Sequence, residues 1–479
     1  MRGFVQIPGI DFTKTHSPVA TDSSVKIVLC IGLYFEEEGW TVEAIDIEAA
    51  FLEADLDEDV FIEWPEGLVE FGYMTKEEQD GMCIQLGKAM YGCVQSPLAF
   101  FNELSKQLRK MGLKQCKADP CIWYRMDGDR LVLIVAVYVD DCILAGKKKD
   151  IEIFKVDIQG RFKISDLGEI KKHLGIWYEK CKDDDGVYYE LSMKKYVDDI
   201  CIDWKGLTGK DPKLAATPGY PGESLVKNEG EAVNKGAYQV MLGKLMWFSR
   251  KVMPECANPV SELAMFMDNP GDDHWKAMSR MIGYISEKEP IVKLRKPWNL
   301  KVVAFVDSNF ATNKETRQSV AGYVVTVGGC LINHLSKLIP AMTLSSTESE
   351  YYAASMCATE IKFIQMLFEE LLPTEVTRPA TLFKDNTGAI YLIENKAVGN
   401  RTKHIDIRMH HIREMVEGTE DEAPRMEVRF IPSEDNIADL ETKNVTEKIH
   451  NYLVPILKNR LFRKIFDKAN REDVTRTQT

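Results

Sequence analysis

Two adjacent aspartates, Asp140 and Asp141, stand between two apolar, β-branched-rich runs at positions 131–137 and 142–145. The pattern predicts a β-hairpin with carboxylates at its tip, entered through Tyr138. Ionised side chains beside apolar strands need a partner, and a hard divalent cation is a common one. A plain turn explains the same pair taken alone, because Asp suits turns. A third acid, Asp46, lies near the end of an alternating stretch at positions 41–51. Three carboxylates from two neighbouring strands could hold two Mg²⁺ (or Mn²⁺) ions about 3.5–4 Å apart. Such a pair activates an attacking hydroxyl and stabilises a leaving pyrophosphate.

A second set of acids occupies the C-terminal third. Asp307 and Asp385 each end an apolar run, Glu350 falls in the first turn of a helix, and Asp439 opens another. Four acids at element ends could converge on a hydrolytic two-metal site. Singly, Glu350 also suits a capping box and Asp385 a turn. Arg401, Lys403, His404, Arg408, His411 and Arg413 form the densest basic cluster. It could track nucleic-acid phosphates, or be a solvated charged face.

These residues need elements to carry them. The first region reads as a helix over 25–40, a strand over 41–47 and an amphipathic helix over 97–111. The turn-rich stretch 217–222 marks a boundary, helices follow over 238–251 and 274–287, and 290–297 marks a second boundary. Beyond it, strands are expected over 302–306, 322–327 and 428–431, with a long helix over 347–372.

Several stretches then agree in order and spacing with one family. Ala44-Ile45-Asp46-Ile47-Glu48-Ala49-Ala50-Phe51-Leu52 resembles the first catalytic motif of copia-type retrotransposon reverse transcriptases. The stretch 86–97, with Gly92 and Gln95, resembles their template and nucleotide-binding motif, and Tyr138-Val139-Asp140-Asp141 their paired-aspartate motif. Stretches 344–351, 383–386, 401–408 and 434–439 resemble the family's ribonuclease H domain. The resemblance implies an α+β polymerase palm of the right-hand reverse transcriptase type, a helical thumb or connection, and an α/β ribonuclease H-like domain. Expected spans are 1–215, 216–297 and 298–445, with a frayed tail over 446–479. Asp46, Asp140 and Asp141 would be metal ligands of one site; Asp307, Glu350, Asp385 and Asp439 of the other, with Glu348 as alternative to Glu350. Phe51 would lie under the incoming sugar, and Gly92 and Gln95 would contact the template–nucleotide pair. Implied partners are an RNA template, a DNA primer, an RNA–DNA hybrid and deoxynucleoside triphosphates.

Departures from the family pattern are Asn309 in place of an acid, Glu441 in place of an apolar residue, and Met253-Pro254-Glu255 for an Arg-Pro-Asp pattern. The family's basic fingers strand precedes the position of Gly3, so a fragment or decayed copy is expected. Three readings stay open: polymerase with ribonuclease H activity, ribonuclease H alone, or an inactive remnant that at most binds nucleic acid.

Composition is compatible with all three. The 479 residues are 45% hydrophobic and 28% charged, and no apolar run has membrane-spanning length. Eleven cysteines form no CxxC pair, which fits a reduced, intracellular setting such as cytoplasm or a virus-like particle. Net charge is −13, and residues 43–80 alone hold fourteen acids against one base. The remainder is near neutral, so the acidic total does not exclude a nucleic-acid partner.

Overall fold

The computed structural model describes residues 3–80, 82–313, 315–394, 406–420 and 422–458. They form two compact units, dividing between Ile170 and Lys171.

The first unit is built on an antiparallel sheet. Helix α1 (Asp22–Tyr34) is capped by Thr21, whose side chain accepts from the Ser24 amide, and eleven of its residues are buried. Gly39, in the left-handed region at φ 85°, releases the chain into β1 (Trp40–Ile47). Helix α2 (Ser96–Lys110) has Pro97 in its first turn and turns Phe100, Leu104 and Leu108, spaced by four, onto one buried face. Strands β2 (Lys114–Gln115), β3 (Ile122–Asp127), β4 (Arg130–Tyr138) and β5 (Asp141–Lys147) precede helix α3 (Lys148–Gln159) and β6 (Ile164–Glu169). Their spatial order is β2-β3-β4-β5-β1-β6. β1 is therefore central, between β5 and β6, and pairs antiparallel with both. Ile45, Leu133, Val135 and Leu144 pack from these strands onto Phe100, Leu104 and Phe154 of the helices. The expected hairpin is present, closed by Tyr138 opposite Asp141.

In the second unit a two-residue strand at Lys172–His173 precedes β7 (Ile176–Asp183) and β8 (Gly186–Ser192), followed by helices α4 (Lys194–Thr208), α5 (Lys235–Val252), α6 (Ala257–Ala264) and α7 (Asp272–Glu287). The stretch read as a second boundary holds a strand, β9 (Ile291–Arg295), which pairs with β8. Its Val292 and Leu294 are buried two residues apart, as a half-buried strand requires, and the flanking prolines concealed it. Residues 171–215 fall in the second compact unit, where β8 pairs with β9.

The unit's larger sheet has β10 (Val302–Asn309), β11 (Val320–Val327), β12 (Cys330–Leu338), β13 (Ala380–Lys384) and β14 (Met426–Phe430), joined through helices α8 (Ser346–Leu371), α9 (Thr387–Glu394) and α10 (Asp406–Glu417). Its order is β12-β11-β10-β13-β14. The first three strands run antiparallel, while β13 is parallel to β10 and β14 to β13. Parallel neighbours need a crossover, and α8 supplies the one from β12 to β13. α8 buries Ala353, Ala354, Cys357, Ala358 and Ile361 on a narrow, small-residue face that lets it lie close to the sheet. A 3-10 segment at Ile437–Glu441 and helix α11 (Glu447–Lys458) complete the unit.

Helix α8 starts one residue earlier than the sequence suggests. Ser345 is its N-cap, accepting from the Glu348 amide. The Glu348 carboxylate in turn accepts from the Leu344 amide at 2.7 Å. The capping acid is therefore Glu348, and Glu350 is instead buried. Two residues along a helix rotate a side chain by about 200°, so these two glutamates cannot share a face.

Candidate active sites

The first unit gathers three acids at one end of two strands. Asp46 on β1 lies directly opposite Asp141 on β5, and the Ile47 amide donates to the Asp140 carbonyl at 3.0 Å. Asp46, Asp140 and Asp141 are half-buried. Burial, first, and then the charges of Asp140, Asp141 and Glu48 push the Asp46 carboxyl above its ordinary value. The hairpin loop is two residues long, and Val139 takes φ 59°. That first loop position is ordinarily a glycine's, and a β-branched residue there is strained. The strain sits beside the acids, where a preorganised site would hold it.

Phe51 lies on the 3-10 turn Ala50–Glu53 that follows Ala49 at φ 52°. Its ring centroid is 4.6 Å from Tyr91 and 6.4 Å from Phe100. Tyr91 is 46% exposed, and its hydroxyl is pushed up by burial and by the charges of Asp140 and Asp46. Tyr91 is a neighbour that the sequence reading did not single out; its place one residue before Gly92 was the available signal. Gly92 itself takes φ 96°, and Gly3 packs so closely that a Cβ there would meet the Gly92 carbonyl at 2.1 Å. Gln95 is buried, donates to the Asp11 carbonyl at 3.2 Å and accepts from Gln6 at 3.0 Å. Gln6 also accepts from the Val94 amide at 2.9 Å. The Gly92–Gln95 loop is thus pinned by the chain's first residues. A cleft of about 300 Å³ lined by Thr13, Lys14, Glu58 and Gln95 adjoins it.

In the second unit, oxygens of Asp307, Glu350 and Asp385 all lie within 4.8 Å of one another. Asp307 comes from β10, Glu350 from α8, and Asp385 directly follows β13, which is parallel to β10. Asp307 and Glu350 are buried and Asp385 half-buried. Thr442 donates its hydroxyl to Asp307, and Ser433 donates to Asp385 at 2.7 Å. Three hard oxygen donors at this spacing fit one divalent cation.

The fourth acid, Asp439, sits beside the group rather than within it. Lys443 bridges it to Asp307, with Nζ 2.8 Å from Asp439 and 3.1 Å from Asp307. Burial raises the Asp439 carboxyl to about 7, helped by Asp307 and opposed by Lys443. Burial works against the Lys443 ammonium, yet Asp307 and Asp439 outweigh it and hold its pKa above the ordinary value. A second lysine, Lys384, donates to Glu350. Burial raises the Glu350 carboxyl, the Lys384 charge opposes this, and Asp307 adds to it. Both lysines escaped the sequence reading. Lys443 stands one helical turn after Asp439, and Lys384 is the lone charge in the fully buried strand β13. Of the two, only the Lys443 spacing was a legible signal.

Glu441 is fully buried and within 3.3 Å of His334. Asn309 donates to the Thr442 carbonyl at 3.2 Å. Both departures from the family pattern therefore serve internal contacts around the site. Of the basic cluster, Arg401, Lys403 and His404 lie outside the described residues. Arg408 belongs to α10, on which His411 and Arg413 are half-buried rather than fully solvated.

Comparisons with known proteins bear on the family of the chain. Residues 1–218 match the reverse transcriptase (RNA-dependent DNA polymerase) family. The retrovirus-related Pol polyprotein from transposon TNT 1-94 of Nicotiana tabacum is 29% identical over 93% of this chain and 32% of its own length. The corresponding polyprotein from transposon RE1 of Arabidopsis thaliana is 30% identical over 92% of this chain and 29% of its own. The chain thus spans about a third of these curated relatives. LC11-RNase H1, solved with an RNA/DNA hybrid, is 18% identical with a TM-score of 0.24, covering 31% of this chain and 98% of its own. Residues 1–218 belong to the reverse transcriptase family, and over nine-tenths of its length the chain is a relative of the Pol polyproteins of copia-type transposons.

Proposed function

We propose that the chain is an RNA-directed DNA polymerase whose second unit carries ribonuclease H activity. The observation that carries the polymerase half is the β1–β5 register, which sets Asp46 opposite Asp141 beside a strained two-residue turn. In this reading residues 1–215 are palm with partial fingers, residues 216–297 form the thumb or connection, and 298–445 the hydrolytic domain. Asp46, Asp140 and Asp141 would hold Mg²⁺, and a bound divalent pair would activate the primer hydroxyl and neutralise the leaving pyrophosphate. The chain's own residues do the positioning. The fixed register keeps the carboxylates at one strand end, and Phe51, backed by Tyr91 and Phe100, offers a flat face for a deoxyribose. The Gly92–Gln95 loop, held by Gln6, would meet the template–nucleotide pair.

The hydrolytic half rests on the 4.8 Å grouping of Asp307, Glu350 and Asp385 on the β10-β13 core. These acids, with Asp439, would hold the ions at which a hybrid's RNA strand is hydrolysed. Substrates would be an RNA template, a DNA primer, an RNA–DNA hybrid and deoxynucleoside triphosphates. Purified protein with Mg²⁺ should extend a primer on RNA and cleave a labelled hybrid. No extension sinks the polymerase half, and binding without either reaction leaves only a nucleic-acid-binding remnant.

A further inference from the structure

We propose that Lys384 is a fixed internal counter-cation for Glu350, so that the Asp307–Glu350–Asp385 group binds a divalent metal ion far more weakly than three carboxylates should. The proposal rests on the reading of that group as a metal site.

Lys384 is the last residue of β13, directly before Asp385, and its side chain is 0% exposed. Its Nζ donates to the Glu350 carboxylate and, at 3.2 Å, to the Glu350 backbone carbonyl. All five residues of β13 are buried, so the ammonium has no outlet to water. A charge that cannot reach water stays with its counter-ion, because leaving it means desolvation without compensation. The Glu350–Lys384 pair is therefore neutral in sum. With that ammonium included, the group offers a cation two net negative charges instead of three.

Lys443 provides the contrast within the same cluster. It also neutralises acids, bridging Asp307 and Asp439. Its side chain is 36% exposed, and a cleft of about 350 Å³ lined by Lys443, Asp439, Asn309 and Glu262 opens beside it. Lys443 can swing into that cleft when a cation arrives, whereas Lys384 cannot leave. One lysine is a displaceable plug, and the other is part of the site's permanent charge.

The test is a Mn²⁺ titration of the full chain without nucleic acid, with free Mn²⁺ read by electron paramagnetic resonance. The share of binding lost in Asp385→Asn identifies the site. Lys384→Met should tighten that share about tenfold or more, since a like charge is removed from within a few ångströms of the cation. Lys443→Met should tighten it by less than the Lys384 change. The charge-balanced double variant Lys384→Met/Glu350→Gln removes a neutral pair and should bind within about threefold of the parent. It also serves if the single variant fails to fold, because a buried ion pair replaced as a whole is tolerated. Unchanged affinity in Lys384→Met overturns the proposal, as does a double variant weakened tenfold, which would show Glu350 acting as a free ligand. If no variant shows binding that Asp385→Asn removes, the metal-site reading itself fails.

Discussion

The two acid groups manage the repulsion among neighbouring carboxylates in opposite ways. At the hairpin of the first unit, the acids are half-buried and stand at a strand end, and among the described residues no lysine or arginine pairs with Asp46 or Asp140. Mutual repulsion is tolerated there because water screens it; the Asp46 carboxyl is raised by burial first and only then by its acidic neighbours. In the second unit, Asp307 and Glu350 are buried, screening is weak, and lysines supply the counter-charge. Exposure lets a site keep its negative charge for a ligand, and burial makes it spend part of that charge on its own fold.

The largest expected effect separates the two chemistries. Asp140→Asn with Asp141→Asn should abolish primer extension and leave hybrid cleavage intact, and Asp307→Asn should do the reverse. Metal stabilisation of several kcal/mol corresponds to roughly a thousandfold in rate. Parallel extension and cleavage assays on each variant measure it. Loss of both activities from either substitution would break the assignment of one reaction to each group.

Stability without metal should diverge in the same pattern. Glu350→Gln strands the ammonium of Lys384 in a fully buried strand, and removing one partner of a buried pair costs about 3–5 kcal/mol. Asp140→Asn removes a repelling charge from a half-buried position and should be neutral or favourable, within about 1 kcal/mol. Urea unfolding in excess chelator reads both. Equal costs at the two positions would mean that burial is not what distinguishes them.

This asymmetry also explains what was legible in the sequence. The hairpin group announces itself locally: β4 and β5 are continuous apolar runs, and a two-residue turn fixes their register. Only Asp46 had to be joined from afar, and alternation in β1 marked it. The second group comes from β10, α8, the end of β13 and the segment after β14, which periodicity cannot bring together. The family motifs pointed to its acids, but not to their partners. Lys384 was hidden because an isolated lysine is ordinarily read as a solvent-facing residue. Strand β9 was hidden because its partner β8 lies about a hundred residues upstream and prolines mark its ends. The capping role went to the wrong glutamate because Ser345 and Thr347 both suit an N-cap, and the choice shifts the cap by two residues.

Phe51 offers a smaller and more specific effect. Phe51→Val keeps a β-compatible apolar residue but removes the ring that rests on Tyr91. Incorporation of ribonucleotides relative to deoxynucleotides should rise by roughly 10- to 100-fold, the range over which pocket size alone discriminates. Single-nucleotide insertion kinetics measure the ratio. An unchanged ratio with slower extension of both would make Phe51 a core residue rather than a sugar gate.

The smallest effect concerns a lysine that is buried in the first unit yet lies outside its acid group. Lys155 on α3 binds Glu43 of β1 and, at 2.8 Å, Asp166 of β6, so its charge serves the scaffold of the central strands. Hydrogen bonding from Lys155 holds the Asp166 carboxyl below its ordinary value, against burial and with help from the Gly168 amide. A depressed carboxylate contributes stability that is fully present above its unfolded pKa, about 3.9, and is lost as pH falls through the lower folded value. Asp166→Asn should therefore cost stability at pH 7 and progressively less as pH falls below about 3.9, narrowing towards the parent. The Asp166 side chain is 47% exposed. Solvent screening then limits the difference at pH 7 to less than about 1 kcal/mol. Urea midpoints at pH 7 and pH 3 test the convergence. A cost that persists unchanged at pH 3 would show that Asp166 matters for packing rather than charge. The contrast between a lysine that clamps a scaffold and one that fills a site would then lose its electrostatic basis.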